Sequence, residues 1–283
     1  MSDGTAPRAP QTGTAAAAPV VLITGASSGL GRSCAEHLHA RGCRVYGSSR
    51  RASLDAPFPF VQMDVTSEDS VAQAVRHIME REGRIDVVLN NAGDGIAGSV
   101  EDTSIAEAQQ QLDTNFFGAL RVCRAVLPPM RAQGSGLIVN VSSLGGLVAL
   151  PFQGLYSASK FALEGMTEAL RMEVKPHGLR VVLVEPGDFR TGFTAQRRKA
   201  QAAEHGPYAE HFGRALATME RDERGGSDPA AVARLLERLI RTSAPRLRYK
   251  VGSPWQKFAT GPLRALLPQK LYGYLLAMSY GVN

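Results

Sequence analysis

The sequence predicts an α/β protein, a doubly wound parallel sheet with helices on both faces in a single domain. Two observations carry this expectation. Short apolar runs rich in valine and isoleucine alternate with helical segments from residue 19 to residue 252, the pattern of strands buried on both faces by crossover helices. The first run ends in the glycine-rich stretch "TGASSGLG" (24–31), which opens the first helical segment. Right-handed crossovers from such a start build an open, doubly wound sheet.

Each element has its own signal. "PVVLITG" (19–25) is a β-branched run stopped by glycine, hence a strand. "RSCAEHLHARG" (32–42) has helical spacing and a glycine stop. "CRVYGSS" (43–49) and "FVQMDV" (60–65) read as further strands, with a helix over 67–82. "IDVVLNNAG" (85–93) and "GLIVNVSS" (136–143) are apolar strands separated by a long helical stretch, 103–133. A helix over 154–175, the strand "LRVVLVEPG" (179–187), a helix over 229–242 and the strand "RLRYKVG" (246–252) complete the alternation.

Three segments fall outside it. Residues 1–18, rich in alanine, proline and threonine, predict a disordered tail and lack the apolar core of a secretory signal. Residues 192–225 are polar, helical and glycine-interrupted, where the alternation weakens. Residues 253–283 form an apolar extension with Trp255, Phe258, Leu266, Leu271, Tyr274 and Met278. It packs on the domain, seals the site or lies on a membrane surface.

Bulk chemistry narrows the function. The net charge is +6, but the lysines and arginines are scattered without a run of five, so no nucleic-acid partner is expected. The three cysteines form no CxxC pair; free thiols point to a reducing, cytoplasmic setting. No HExxH or zinc spacing occurs, so no metal is expected. No stretch reaches the ~18 apolar residues of a spanning helix.

The chemistry-bearing residues lie at strand ends. Gly25, Gly29 and Gly31 permit a tight turn and a close backbone approach to an anion at the helix N-terminus. The same "GASSG" reads as a nucleophile elbow with Ser27 as nucleophile. That reading needs acid and histidine partners, and His177, His205 and His211 have no strand-end context. In "GLYSASKFALEG" (154–165), Tyr156 and Lys160 share one helix face. Ser143 ends a strand at the ligand edge of the sheet, with Ser142 on the opposite side. Asn115 sits mid-helix, where asparagine is a poor choice.

The T-G-x-x-x-G-x-G turn, "NNAG" (90–93), Ser143, Tyr156-x-x-x-Lys160 and "PGDFRT" (186–191), in this order, resemble the short-chain dehydrogenases/reductases over roughly residues 19–252. The resemblance implies a Rossmann-like fold and a nicotinamide cofactor. It makes Tyr156 the acid/base, Lys160 its tuner and holder of the nicotinamide ribose, and Ser143 the stabiliser of the substrate oxygen. Asn115 would anchor a water linking Lys160 to solvent. Bringing a phenol from ~10 to neutrality takes on the order of 4 kcal/mol, which a nearby ammonium helps to supply. The turn residues Gly25, Ser27, Ser28, Gly29, Leu30 and Gly31 would hold the cofactor phosphates. Asp64 and Val65 would flank the adenine, and Asn90, Ala92 and Gly93 would line the floor under its ribose. Pro186 and Gly187 would lie beside the nicotinamide and Thr191 near its carboxamide. Residues 192–225 would be a mobile lid.

Charge selects the cofactor. Where an acidic residue would bind the ribose hydroxyls of NAD, this chain has Ser49, Arg50 and Arg51. Guanidinium groups suit a 2′-phosphate, so NADP(H) is expected. Residues 143–170 resemble the branch holding the 17β-hydroxysteroid and retinol dehydrogenases. Leu147, Val148, Leu150, Pro151, Phe152 and Leu155 form an apolar wall. Ser143, Gly145, Leu150, Phe152 and Tyr156 would meet a hydrophobic carbonyl or alcohol, whether steroid, retinoid, terpenoid, or acyl or polyketide. By the resemblance, Ser157, Ala158 and Ser159 leave room for the cofactor. Phe161, Leu163 and Met166 would face a partner in a homodimer or homotetramer built on 103–133 and 154–175. A non-catalytic NADPH-binding regulator of the same fold is the alternative. The complete Asn–Ser–Tyr–Lys set argues against it.

Overall fold

The computed structural model describes residues 17–51 and 55–282. The tail expected at 1–18 therefore lies outside the described residues except for its last two. In chain order the elements are β1 (Val20–Thr24), α1 (Gly29–Ala40), β2 (Arg44–Ser49), β3 (Phe60–Gln62), α2 (Glu68–Glu82), β4 (Val87–Asn90) and β5 (Ile96–Ala97). Then come α3 (Ile105–Leu112), a π-helical turn (Asp113–Phe117), α4 (Gly118–Gln133), β6 (Gly136–Val141), a 3-10 turn (Leu144–Gly146), α5 (Gly154–Val174) and β7 (Leu179–Pro186). The chain continues through α6 (Phe193–Gln196), β8 (Arg198–Lys199), α7 (Ala209–Arg224), α8 (Ala230–Arg241) and β9 (Arg248–Val251). It finishes with α9 (Pro254–Phe258), a second π-helical turn (Ala259–Leu263), α10 (Arg264–Leu266) and α11 (Gln269–Ser279).

Seven strands form one parallel sheet in the order β3-β2-β1-β4-β6-β7-β9. Val21 lies level with Val45 on one side and Val87 on the other. Alternation along β1 splits the core. Val21 and Ile23 pack with Cys34, Leu38, Val232 and Leu236 of α1 and α8. Val20 and Leu22 pack with Val71, Ile78, Val122 and Met130 of α2 and α4. Both faces are thus sealed by apolar helix stripes, which explains why these strands read as unbroken apolar runs.

The strand order reverses beside β1: β2 and β3 extend one way, β4 and the rest the other. A crevice opens outside the carboxyl ends of strands at such a switch point.

Three features depart from the expected elements. β3 stops at Gln62 rather than at 65. The long helix expected at 103–133 is broken by the π-helical turn at 113–117, where the Gly118 N–H reaches back to the Asp113 carbonyl. A second, two-stranded sheet pairs Ile96 with Arg198 and Ala97 with Lys199, tying the region after β7 to the loop after β4.

Candidate active site

A cleft of about 520 Å³ runs along the carboxyl ends of β1, β4, β6 and β7. At one end lies the turn between β1 and α1. Gly25 and Gly29 take left-handed backbone with φ of +67° and +55°. A Cβ on Gly25 would sit 2.9 Å from the Ala92 Cα, so only glycine permits this approach. The side chain of Ser28, at the N-cap of α1, makes no capping hydrogen bond. First-turn N–H groups that lack a cap are free for an anion. Ser27, Ser28 and Leu30 line the cleft beside them.

Gly31 does not line it. Its Cβ would meet the Gly25 carbonyl oxygen at 2.4 Å, so its role is to let α1 approach the strand. Ser49 and Arg50 line the cleft, as do Asp64 and Val65; Arg51 is exposed and stands outside. This end therefore fits a phosphate-bearing cofactor: an open glycine cradle, an uncapped helix start and one guanidinium within the cleft.

Asn90 is placed differently from expectation. It is the last residue of β4, and its side chain turns into the sheet, donating to Asn140 Oδ1 at 2.8 Å. Asn91 lines the cleft instead, and its amide donates to the carbonyls of Thr24 and Gly25 at 3.0 and 3.2 Å. Ala92 and Gly93 follow it along the wall. The pleat that turns Asn90 inward leaves its neighbour at the rim.

At the other end, Ser143, Tyr156 and Lys160 line one wall. Lys160 is buried and donates to the Val141 carbonyl at 2.9 Å. Its ammonium lies 5.8 Å from the Tyr156 ring centre. Burial pulls the Lys160 pKa down to about 8, opposed by Asp94 and Glu164. Burial pushes the Tyr156 phenol above its ordinary value, while the Ser143 hydroxyl and the Arg197 charge draw it back. Ser143 accepts the Gly145 N–H at 3.0 Å, which fixes its hydroxyl beside the phenol. The neighbouring Ser142 hydroxyl lies where a Cβ on Gly146 would meet it at 2.6 Å.

Asn115 does not line the cleft. It sits in the π-helical turn and braces the wall from behind. Its amide donates to the Asp94 carbonyl at 3.0 Å and to Ser159 Oγ at 3.1 Å, and its carbonyl accepts the Asp94 N–H at 2.9 Å. The Ser159 hydroxyl in turn donates to the Tyr156 carbonyl at 2.6 Å. The small residues of α5 thus have another reason than the expected one. Ser157 accepts the Leu150 N–H at 3.2 Å, Ser159 meets Asn115, and Ala158 faces solvent.

The substrate end mixes expected and unexpected groups. Gly145, Val148 and Leu150 line the cleft; Leu147, Pro151 and Leu155 do not. Phe152 also stands outside, with φ of 57° and its ring 5.8 Å from that of Phe212. Phe193 lies 6.1 Å from the Tyr156 ring, and Met219, Asp222 and Glu223 of α7 complete that side. Asp188 lines the cleft with its carboxyl raised to about 6 by burial and by Glu223 and Asp222.

The C-terminal extension covers this end. Trp255, Tyr272, Leu276 and Tyr280 line the cleft. Gln256 lies where a Cβ on Gly187 would meet it at 2.3 Å, and it hydrogen-bonds Asp188. Arg214 donates to the Gly281 carbonyl at 2.9 Å and Arg264 to that of Leu147. The sequence marked these residues as apolar but carried no local signal of where they dock. Pro186, Gly187 and Thr191 line the cleft between the two ends. No histidine lines it, so Ser27 has no base there, and among the described residues no cluster could hold a metal ion.

A family model described as short chain dehydrogenase matches residues 19–202. The chain belongs to the short-chain dehydrogenase/reductase family. It is 42% identical over 266 residues to a 3-ketodihydrosphingosine reductase of Bacteroides thetaiotaomicron, covering 93% of this chain and 98% of that protein. It is 35% identical to retinol dehydrogenase 8 of Homo sapiens, over 87% of this chain and 85% of that one. A crystal structure of a short-chain dehydrogenase from Streptomyces avermitilis superposes with a TM-score of 0.79 at 34% identity, covering 95% and 100% of the two chains.

Family members with this fold carry either nicotinamide dinucleotide. A Burkholderia phymatum member in complex with NAD has a TM-score of 0.73 at 26% identity, over 88% of this chain and 90% of its own. A Burkholderia cenocepacia member in complex with NADP has a TM-score of 0.71 at 28% identity, over 92% and 98%. This short-chain dehydrogenase/reductase is thus an oxidoreductase with a nicotinamide cofactor cleft. Among its described residues no helix is long and apolar enough to cross a membrane.

Proposed function

We propose that the protein is an NADP(H)-dependent carbonyl reductase acting on a long-chain lipid ketone, best represented by a 2-amino-3-ketone such as 3-ketodihydrosphingosine. The observation that carries this reading is the cleft itself. It joins a proton donor to an apolar wall and to a group of carboxylates. Val148, Leu150, Phe193, Met219, Trp255 and Leu276 offer an alkyl chain apolar contact. Asp188, Asp222 and Glu223 line the same chamber. A carboxyl raised by desolvation gains most from a cationic partner, and an amine beside the ketone supplies one. The likeness to the Bacteroides reductase supports the same substrate class.

The residues divide the work. A nicotinamide cofactor held along the cleft supplies hydride to the carbonyl carbon in reduction and accepts it in oxidation. Tyr156 gives a proton to the carbonyl oxygen. A phenol is protonated at neutral pH at its ordinary value of about 10, and burial shifts Tyr156 further the same way, so its proton is available for reduction. Ser143 donates a hydrogen bond to the same oxygen and steadies the charge that develops there. Lys160 places an ammonium under the phenol and favours its ionised form as the proton leaves. Asn115 positions these groups by fixing Ser159 and thereby the first turn of α5. Arg50 would hold the 2′-phosphate that distinguishes NADP from NAD.

Phe161 and Met166 remain outside the core and support a homo-oligomer through α4 and α5. Leu163 is buried in the core and takes no part in such a contact.

A panel tests the substrate class. NADPH oxidation is measured with long-chain 2-amino-3-ketones, their deaminated analogues, retinal and a steroid ketone. The amino ketone should give the highest kcat/KM. Asp188→Asn should raise its KM roughly tenfold, the worth of one charged pair of about 1.4 kcal/mol, and leave the deaminated ketone unchanged. Equal turnover of retinal, or equal effects of Asp188→Asn on both ketones, would overturn the assignment.

A further inference from the structure

The helix α11 carries large apolar side chains on two faces. Tyr272, Leu276 and Tyr280 face the cleft. Leu271, Tyr274, Leu275 and Met278 face away from it and are exposed. These are the two opposite helical faces, each spaced at i, i+3 or i+4. The inner face is covered by the cleft, while the outer one is open to solvent. Further exposed apolar side chains lie elsewhere in the extension. Trp255 is 66% exposed and Leu266 78% exposed, and the Trp255 ring lies tilted against that of the exposed Phe258, 5.9 Å between centres. Scattered surface leucines need no explanation, but seven exposed large apolar side chains gathered within residues 255–278, beside the cleft, do.

Charge decides what covers it. Residues 253–283 contain no aspartate or glutamate and carry Lys257, Arg264 and Lys270. A second copy meeting this face with the same face would bring no carboxylate to pair with these cations. An anionic bilayer offers the opposite charge and an apolar interior. Exposed tryptophan, tyrosine and leucine flanked by basic residues are the composition of an interfacial segment.

We infer that the outer face of residues 254–279 docks the protein on the surface of a bilayer rich in anionic phospholipid, with the cleft mouth turned toward the lipid. In this arrangement residues 254–279 lie along the membrane surface. Docking rests on the extension alone. Only its purpose, passing a lipid substrate between bilayer and cleft, rests on the proposed activity. Tyr272 and Leu276 on the inner face of α11 would then form the wall along which an alkyl chain slides.

Flotation of the full chain with vesicles tests the docking and reads no turnover, so its failure is separate from failure of the reaction. Vesicles of phosphatidylcholine with about one third phosphatidylglycerol should carry the protein, and pure phosphatidylcholine should carry far less. Each basic side chain at such a surface is worth about fivefold in partitioning. Lys257→Glu with Lys270→Glu should therefore lose ~25-fold or more, and added salt should weaken binding. Leu271→Ser with Leu275→Ser should lower binding to both kinds of vesicle, with an unchanged circular dichroism spectrum confirming that the variant folds. A chain that stays in solution with anionic vesicles would overturn the inference. So would a dimer in sedimentation that the serine variant dissociates, because the face would then belong to a second copy.

Discussion

At the residue scale, the proposed preference for NADP(H) rests on one side chain. Arg50 lines the cleft beside Ser49 and Asp64, while Arg51 stands outside it. Arg50→Asp would replace a phosphate partner with a group that repels phosphate and accepts ribose hydroxyls. The NADPH-to-NADH ratio of kcat/KM should fall by at least tenfold, read from initial rates with each cofactor. An unchanged ratio would contradict the assignment. Residues at this scale were legible where a motif is local: Gly25, Gly29, Ser143, Tyr156 and Lys160 all line the cleft. Asn90 was not. The pair "NN" gives no sign of which member faces the ligand, and the strand pleat decides for Asn91. Phe152 was not legible either, since its left-handed backbone and its contact with Phe212 depend on a helix some 60 residues away.

At the element scale, α5, β7 and β9 meet around one arginine. Arg248 Nε lies 3.0 Å from Glu164 and 3.1 Å from Glu185, and its other arm reaches Glu168. Three carboxylates thus share one guanidinium. Burial, then the Glu164 charge, push Glu185 up to about 7. Between the ordinary glutamate value of about 4.3 and this raised value, the folded chain keeps a proton that the unfolded chain has lost. That stabilisation is complete at the acid end of the window and disappears as pH rises through about 7. Glu185→Gln keeps the shape and removes the charge. It should raise Tm at pH ~8 by about 2–4 °C and flatten the decline between pH ~5 and ~7. Thermal unfolding across that range reads both, and a lower Tm at the alkaline end would show that the ion pair stabilises the fold. The seven strands were legible because each is an apolar run closed by glycine or a polar end. The π-helical turn and the pair β5–β8 were not. Two-residue pairings and an i→i−5 bond leave no periodic trace in sequence.

For the whole molecule, the cleft is closed by parts of the chain far apart in sequence. The β1–α1 turn supplies one end, α5 the Tyr156 phenol, α7 and the loop after β7 the carboxylates, and the extension the roof. The alternation of strands and helices announced the first two. The roof's apolar residues could be counted, but long-range packing alone tells where they sit, and Gln256 on Gly187 and Arg214 on Gly281 are what fix them. In the proposed reaction all these parts serve one act at Tyr156, the transfer of a proton to a substrate oxygen. Tyr156→Phe removes that proton and keeps the ring against Phe193. The decisive measurement is the single-turnover rate of NADPH oxidation with a long-chain 2-amino-3-ketone, taken beside the NADPH dissociation constant, for the native chain and for Tyr156→Phe. The rate should fall by about 10²–10⁴-fold, the worth of a positioned acid, with the dissociation constant changed by no more than about twofold. A variant that still turns over at the native rate would contradict the account.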